Sequence, residues 1–148
     1  MNILFVCTGN TCRSPMAEAI LAARDIEGIE ARSAGIYAMD GGDMSRNAQL
    51  VLENARIHSN HISSSLKEQM LEWADVVLTM TATHKQLIIH TFPEIATKVS
   101  MYKEFATPLD IQDVSDPYGG DLHTYEKTFQ ELYVLTDELV KKLQGDIG

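Results

Sequence analysis

NILFVCTGNTCRSP, residues 2–15, passes from a strand to a helix within one short stretch. Residues 2–6 are an apolar run with β-branched and aromatic content, the pattern of a buried strand. Ser14 and Pro15 read as the cap and first position of a helix. A serine oxygen can accept a hydrogen bond from a free N–H of the first turn, and proline's fixed φ and missing N–H suit the first helical position. Between them, CTGNTCR holds both cysteines of the chain, a glycine and an arginine in one loop.

The rest of the chain repeats the alternation. Residues 15 to about 27 place Met16, Ala19, Ile20 and Ala23 on one helical face. IEARSAGI, residues 29–36, reads as a second strand ended by the glycine-rich DGGD. Residues 44–56 read as a second helix with Ala48, Val51, Leu52 and Ala55 on one side. SLKEQMLEWA, residues 65–74, predicts a short helix leading into the strand DVVLTM, residues 75–80. Residues 81–92 read as a helix ending before Pro93, and KVSMY, residues 98–102, as a fourth strand. FATPLDIQDVSDPYGGD, residues 105–121, is a long acidic loop, and loops of that length in compact proteins are often functional. The last helix, about 122–144, carries Tyr125, Phe129, Leu132, Leu139 and Leu143 as a core stripe. Strands alternating with helices imply a four-stranded parallel sheet with helices on both faces. Ligands bind such sheets beyond the carboxyl ends of the strands, where the strand order reverses. The loop after the first strand is the expected place.

The 148 residues fit a single domain, 1–148, able to bury a core without disulfide or metal support. Two cysteines in one loop do not make a secreted disulfide framework, and MNILFVC shows no basic leader, so the expected compartment is the cytoplasm, with reduced thiols. No apolar run approaches the roughly 18 residues of a membrane-spanning helix. With 12 basic and 21 acidic residues the net charge is −9, which disfavours nucleic acid and anionic membrane as partners.

Cys7 and Arg13 stand in Cys-x5-Arg spacing between a strand and a helix start. Backbone N–H groups of such a loop can converge on an oxyanion, with the positive end of the helix dipole behind them. Gly9 relieves the loop of a β-carbon. The planar fork of Arg13 can hold two oxygens of a tetrahedral anion. The same positive field favours a Cys7 thiolate, a nucleophile facing phosphorus. Its leaving group then needs a proton. Asp110, Asp113, Asp116 and Asp121 are the carboxylates of the acidic loop. Asp116 is the candidate acid because Pro117 restricts its backbone and so aims its side chain. The other three read as solvated loop carboxylates, and Tyr118 can form a wall of the pocket.

VCTGNTCRSPMAEA together with SDPYGG resembles the low-molecular-weight protein tyrosine phosphatase family over essentially the whole chain. The resemblance implies a flavodoxin-like three-layer sandwich, no metal or other cofactor, Cys7 as nucleophile, Arg13 as phosphate ligand and Asp116 as acid and then base. It implies a substrate cradle of Thr8, Gly9, Asn10, Thr11, Cys12 and Ser14, with Asn10 shaping the loop and Ser14 bonded to the Cys7 thiolate. Ser33 and His61 follow as a supporting network, although His61 read alone is a turn or surface histidine.

Thr11 departs from the family's usual aliphatic residue between Asn and Cys, and in this it resembles the bacterial protein arginine phosphatase branch. A polar β-branched side chain there suits a compact planar guanidinium and crowds a phenyl ring. Phosphorylated proteins are then the partners, with a protein arginine kinase as functional counterpart. A tyrosine phosphatase with a neutral threonine is the alternative. Three rivals remain. Cys7, Cys12, His58 and His61 could supply four zinc ligands, at the cost of aiming Arg13 at a cation. A thiol-dependent arsenate reductase would need cysteines beyond Cys12. A phosphocysteine carrier or phosphate-binding module would have no use for Asp116. Cys12 is either a redox partner able to close a disulfide on Cys7 or a small packed residue.

Overall fold

The computed structural model describes residues 1–108 and 112–147. Four strands, β1 (Asn2–Cys7), β2 (Glu30–Gly35), β3 (Val76–Thr79) and β4 (Val99–Met101), form one parallel sheet in the order β2-β1-β3-β4. The chain steps outward from β1 to β2 on one side and then returns to place β3 on the other. The carboxyl end of β1 therefore sits at the switch point, and the flavodoxin-like expectation holds.

Among the described residues six α-helices surround the sheet: α1 (Arg13–Ala23), α2 (Arg46–Asn54), α3 (Glu68–Trp73), α4 (Ala82–Thr91), α5 (Tyr102–Ala106) and α6 (Leu122–Ile147). The period-two alternation of β1 sorts the core. Ile3, Phe5 and Cys7 point to the face covered by α1, α2, α5 and α6, while Leu4 and Val6 point to the face covered by α3 and α4. Phe5 stacks at 5.1 Å on Tyr102, whose hydroxyl meets Thr136 Oγ1 at 2.9 Å, so the one polar atom of this large buried ring is paired. Full burial of a side chain such as Phe5 contributes about 1.5–3 kcal/mol. The α6 stripe Tyr125, Phe129, Leu132, Leu139 and Leu143 is buried throughout.

Several boundaries differ from the sequence reading, each for a local reason. Helix α1 starts at Arg13, two residues before Pro15, with Cys12 at the cap position and no side-chain cap bond. Ser14 therefore does not cap the helix; it lies inside the first turn, fully buried, with its hydroxyl turned to the active loop. Helices α1 and α2 end at Ala23 and Asn54, so Ala23 and Ala55 fall outside the core. A 3-10 turn at Pro93–Lys98 and the short α5 stand where loop and strand were expected. In α5, Glu104 Oε1 accepts from the Met101 N–H at 2.9 Å and from Lys85 Nζ at 2.6 Å. Asp110 lies outside the described residues.

Candidate active site

The loop Thr8–Cys12 is held from behind by a buried polar network centred on Asn10. Asn10 is fully buried with φ 55°, a left-handed conformation that asparagine tolerates better than most residues. Its amide nitrogen donates to Ser14 Oγ at 2.8 Å and to Ser33 Oγ at 2.9 Å, and its Oδ1 accepts the Ser64 N–H at 2.9 Å. Its carbonyl accepts from Ser63 Oγ at 2.8 Å and from His61 Nε2 at 2.7 Å, so Nε2 is a donor. Ser14 Oγ, already accepting from Asn10, lies 2.8 Å from Cys7 Sγ. Ser14 can turn its own proton to the sulfur, and a hydroxyl so directed favours a thiolate.

β2 supplies the close support. Gly35 at its end packs against the loop so tightly that a Cβ there would lie 2.7 Å from the Thr8 carbonyl and 2.8 Å from the Asn10 nitrogen. The Cys7 and Thr8 carbonyls accept from the N–H groups of Ile36 and Tyr37 at 3.0 and 2.9 Å.

Arg13 joins the two motifs. Its side chain is buried, 5 % exposed, with Nη1 donating to the Val114 carbonyl at 3.1 Å and Nη2 3.6 Å from Asp116 Oδ2. Asp116 is 57 % exposed, and its other oxygen accepts the Tyr118 N–H at 3.0 Å in a turn completed by Gly119 at φ +79°. Residues on either side of this turn are anchored: Val114 N–H donates to the Met80 carbonyl at 2.8 Å, and Ser115 Oγ donates to Glu131 on α6 at 2.7 Å. Cys7, Thr8, Gly9, Thr11, Cys12, Arg13, Asp116 and Tyr118 line one cleft of about 210 Å³. Asn10 and Ser14 stand behind it, and Ser33 and His61 behind them. Tyr118 is exposed at the rim.

Cys12 is buried with its sulfur 3.3 Å from Tyr125 Oη and 3.5 Å from Ser45 Oγ. Burial, and next the bond to Cys12, push the Tyr125 phenol up. The four zinc ligands weighed from sequence do not gather: among the described residues no group of three His, Cys, Asp or Glu side chains is placed to hold a metal. Asp113 and Asp121 are exposed, as expected of solvated loop carboxylates, and each also holds a helix start. Asp113 accepts the Ala82 N–H of α4 at 2.8 Å, and Asp121 caps α6 by accepting from Thr124 N and Oγ1, both at 2.9 Å. Those bonds hold the Asp121 carboxyl below the usual carboxylate range.

His84 and Gly35 escaped the sequence reading. His84 Nε2 lies 2.8 Å from Thr8 Oγ1, a link between α4 and the loop beyond the carboxyl ends of the adjacent central strands β3 and β1. Gly35 closes the RSAG run, and its signal was a glycine at a strand end.

A doubly wound parallel sheet with a cysteine–arginine loop at its switch point and an aspartate across the cleft defines a class, the cysteine-dependent phosphatases of flavodoxin-like fold. Within it the chain belongs to the low molecular weight phosphotyrosine protein phosphatase family, whose pattern it matches over residues 2–147. It is 45 % identical over 144 residues to a protein-arginine-phosphatase of Geobacillus stearothermophilus, covering 97 % of each chain. The structure of the YwlE arginine phosphatase from the same organism superposes with a TM-score of 0.96 at 43 % identity, covering 98 % of this chain and 94 % of that one. A YwlE arginine phosphatase mutant, cysteine replaced by serine and that active-site serine phosphorylated, superposes with a TM-score of 0.94 at 44 % identity over 99 % and 97 % of the two chains. Among the described residues no helix is long and apolar enough to cross a membrane.

Proposed function

We propose that this chain is a protein arginine phosphatase acting through a phosphocysteine, with Cys7, Arg13 and Asp116 as its catalytic residues. The observation that carries the specificity is Thr11, a polar β-branched side chain in the wall of the cleft. Its hydroxyl and the carboxylate of Asp116 offer a guanidinium the polar, anionic surroundings that a phenyl ring has no use for.

The Cys7 thiolate attacks phosphorus while Arg13 and the loop N–H groups from Thr8 to Ser14 hold the phosphoryl oxygens. As the phosphorus–sulfur bond forms, the phosphorus–nitrogen bond breaks. Asp116 gives its proton to the departing nitrogen, leaving a guanidinium cation. The Asp116 carboxylate then takes a proton from water, whose oxygen attacks phosphorus. Phosphate leaves and the Cys7 thiolate returns. No cofactor enters this sequence. Tyr118 at the rim steadies the stem of the substrate arginine, and Ser33 and His61 keep Asn10 in place.

Phosphorylated proteins are the substrates on this reading, a protein arginine kinase is the opposing activity, and the cytoplasm is the compartment in which both meet. Cys12 is the redox partner of Cys7: an oxidised Cys7 is captured as a disulfide and recovered by thiol reductant. Peroxide inactivation should reverse with reductant in the wild type and fail to reverse in Cys12→Ser. The specificity is tested by Thr11→Ile. The ratio of phosphoarginine to phosphotyrosine turnover should fall by at least about tenfold, and an unchanged ratio would leave the tyrosine phosphatase reading in its place.

A further inference from the structure

His84 is a buried histidine outside the reaction scheme, yet it reaches the residue directly after the nucleophile. It stands in the first turn of α4, where its backbone N–H donates to Thr81 Oγ1 at 3.1 Å and the neighbouring Ala82 N–H is held by Asp113. The ring is thus set on a capped helix end. Nε2 lies 2.8 Å from Thr8 Oγ1, while Nδ1 is buried and has no hydrogen-bond partner among the described residues. Thr8 is exposed, its carbonyl is bound by Tyr37 N–H, and the residue lines the cleft.

Protons follow from this geometry. Burial, and next the Arg13 cation, hold His84 down to about 4 against the opposing carboxylates of Asp113 and Asp116, so the ring is neutral near pH 7. A neutral ring carries one N–H. Placed on Nδ1, that N–H would be buried with no acceptor, an arrangement proteins rarely keep. Placed on Nε2, it donates to Thr8 Oγ1 and leaves only a lone pair bare. The Thr8 oxygen is then engaged as an acceptor, and its own proton is free to turn into the cleft.

We propose that His84 is a positioning residue that orients the Thr8 hydroxyl, making Thr8 a side-chain donor to an oxygen of the bound phosphoryl group. The effect passes through Thr8 alone; His84 touches neither substrate nor the reacting sulfur. This rests on reading the Cys7 loop as the phosphoryl site.

The test is a mutant cycle in the full chain, with inorganic phosphate as competitive inhibitor of phosphopeptide hydrolysis. Thr8→Val and His84→Phe should each weaken phosphate inhibition by about tenfold, the scale of one lost hydrogen bond to a charged group. The double variant should be no weaker than Thr8→Val within about twofold, because the two residues act as one unit. Thr8→Ser, which keeps the hydroxyl, and His84→Gln, which keeps an N–H donor, should stay within about threefold of wild type. Additive losses in the double variant, or Thr8→Val with unchanged phosphate inhibition, would overturn the proposal. If His84→Phe does not fold, the pair Thr8→Val and Thr8→Ser with His84→Gln decides alone. Turnover surviving in Cys7→Ser would instead overturn the underlying reading of the site, which keeps the two failures distinct.

Discussion

The Cys7 loop and the Asp116 turn face each other across one cleft but are held by opposite means. Asn10 is fully buried and spends its side-chain amide and its carbonyl on Ser14, Ser33, Ser64, Ser63 and His61. Asp116 is more than half exposed, and its polar contacts are a local turn bond and a 3.6 Å approach to Arg13. Binding a tetrahedral anion rewards donors that are in place before the substrate arrives. A group that must protonate one leaving atom and then deprotonate water needs access to solvent. On the proposed mechanism the fold thus invests rigidity where phosphate would sit and leaves the proton carrier on the surface, in a turn anchored at Val114 and Ser115.

The comparison can be broken at either loop. The largest effect falls on chemistry at the acid turn. Asp116→Asn should lower kcat about 10²- to 10⁴-fold. Because the side chain is exposed, unfolding in denaturant should move by less than about 0.5 kcal/mol. A comparable loss of stability would mean that the acid turn is structural after all. Next, Asn10→Ala at the buried loop should cost stability and activity together. About 2–4 kcal/mol is expected in denaturant unfolding, since several buried donors and acceptors lose their partner and alanine tolerates φ 55° poorly. A stable but inactive variant would show that the network serves catalysis alone.

The smallest effect is a pH dependence. His84 is depressed from 6.5 to about 4 in the folded chain. The unfolded chain binds its proton first, so this contribution is complete above pH 6.5 and is lost as pH falls toward 4. Between pH 7 and 5, wild type should lose about 2 kcal/mol more stability than His84→Phe. Equal losses would mean that the ring is not buried neutral.

Much of this was readable in the sequence, for physical reasons. β1 and the stripe on α6 announce themselves because their apolar periods match their geometries, and Cys7, Arg13 and Asp116 stand in motifs whose spacing the chemistry dictates. Ser14 misled because serine beside proline is the ordinary sign of a helix start. The loop needs that hydroxyl for the sulfur, so the cap moved to Cys12 with no side-chain bond. Asp113 and Asp121 are exposed, as read, but their bonds to backbone N–H groups stayed hidden because a carboxylate bonded to a distant or following N–H leaves no periodic trace. His84 was invisible for a related reason. Its partner Thr8 lies 76 residues away in the chain, and parallel topology alone brings them together. Local patterns thus expose what a strand–loop–helix unit does by itself, and conceal what two such units do to each other.

What the cleft dephosphorylates is tested most directly by paired assays. Purified protein is given matched phosphoarginine and phosphotyrosine peptides, with Cys7→Ser as the blank. Thr11 and Asp116 in the cleft predict a kcat/KM higher on phosphoarginine by at least about tenfold, with no turnover of either peptide in the blank. Equal or greater efficiency on phosphotyrosine would contradict arginine specificity, and turnover in the blank would contradict the nucleophile itself.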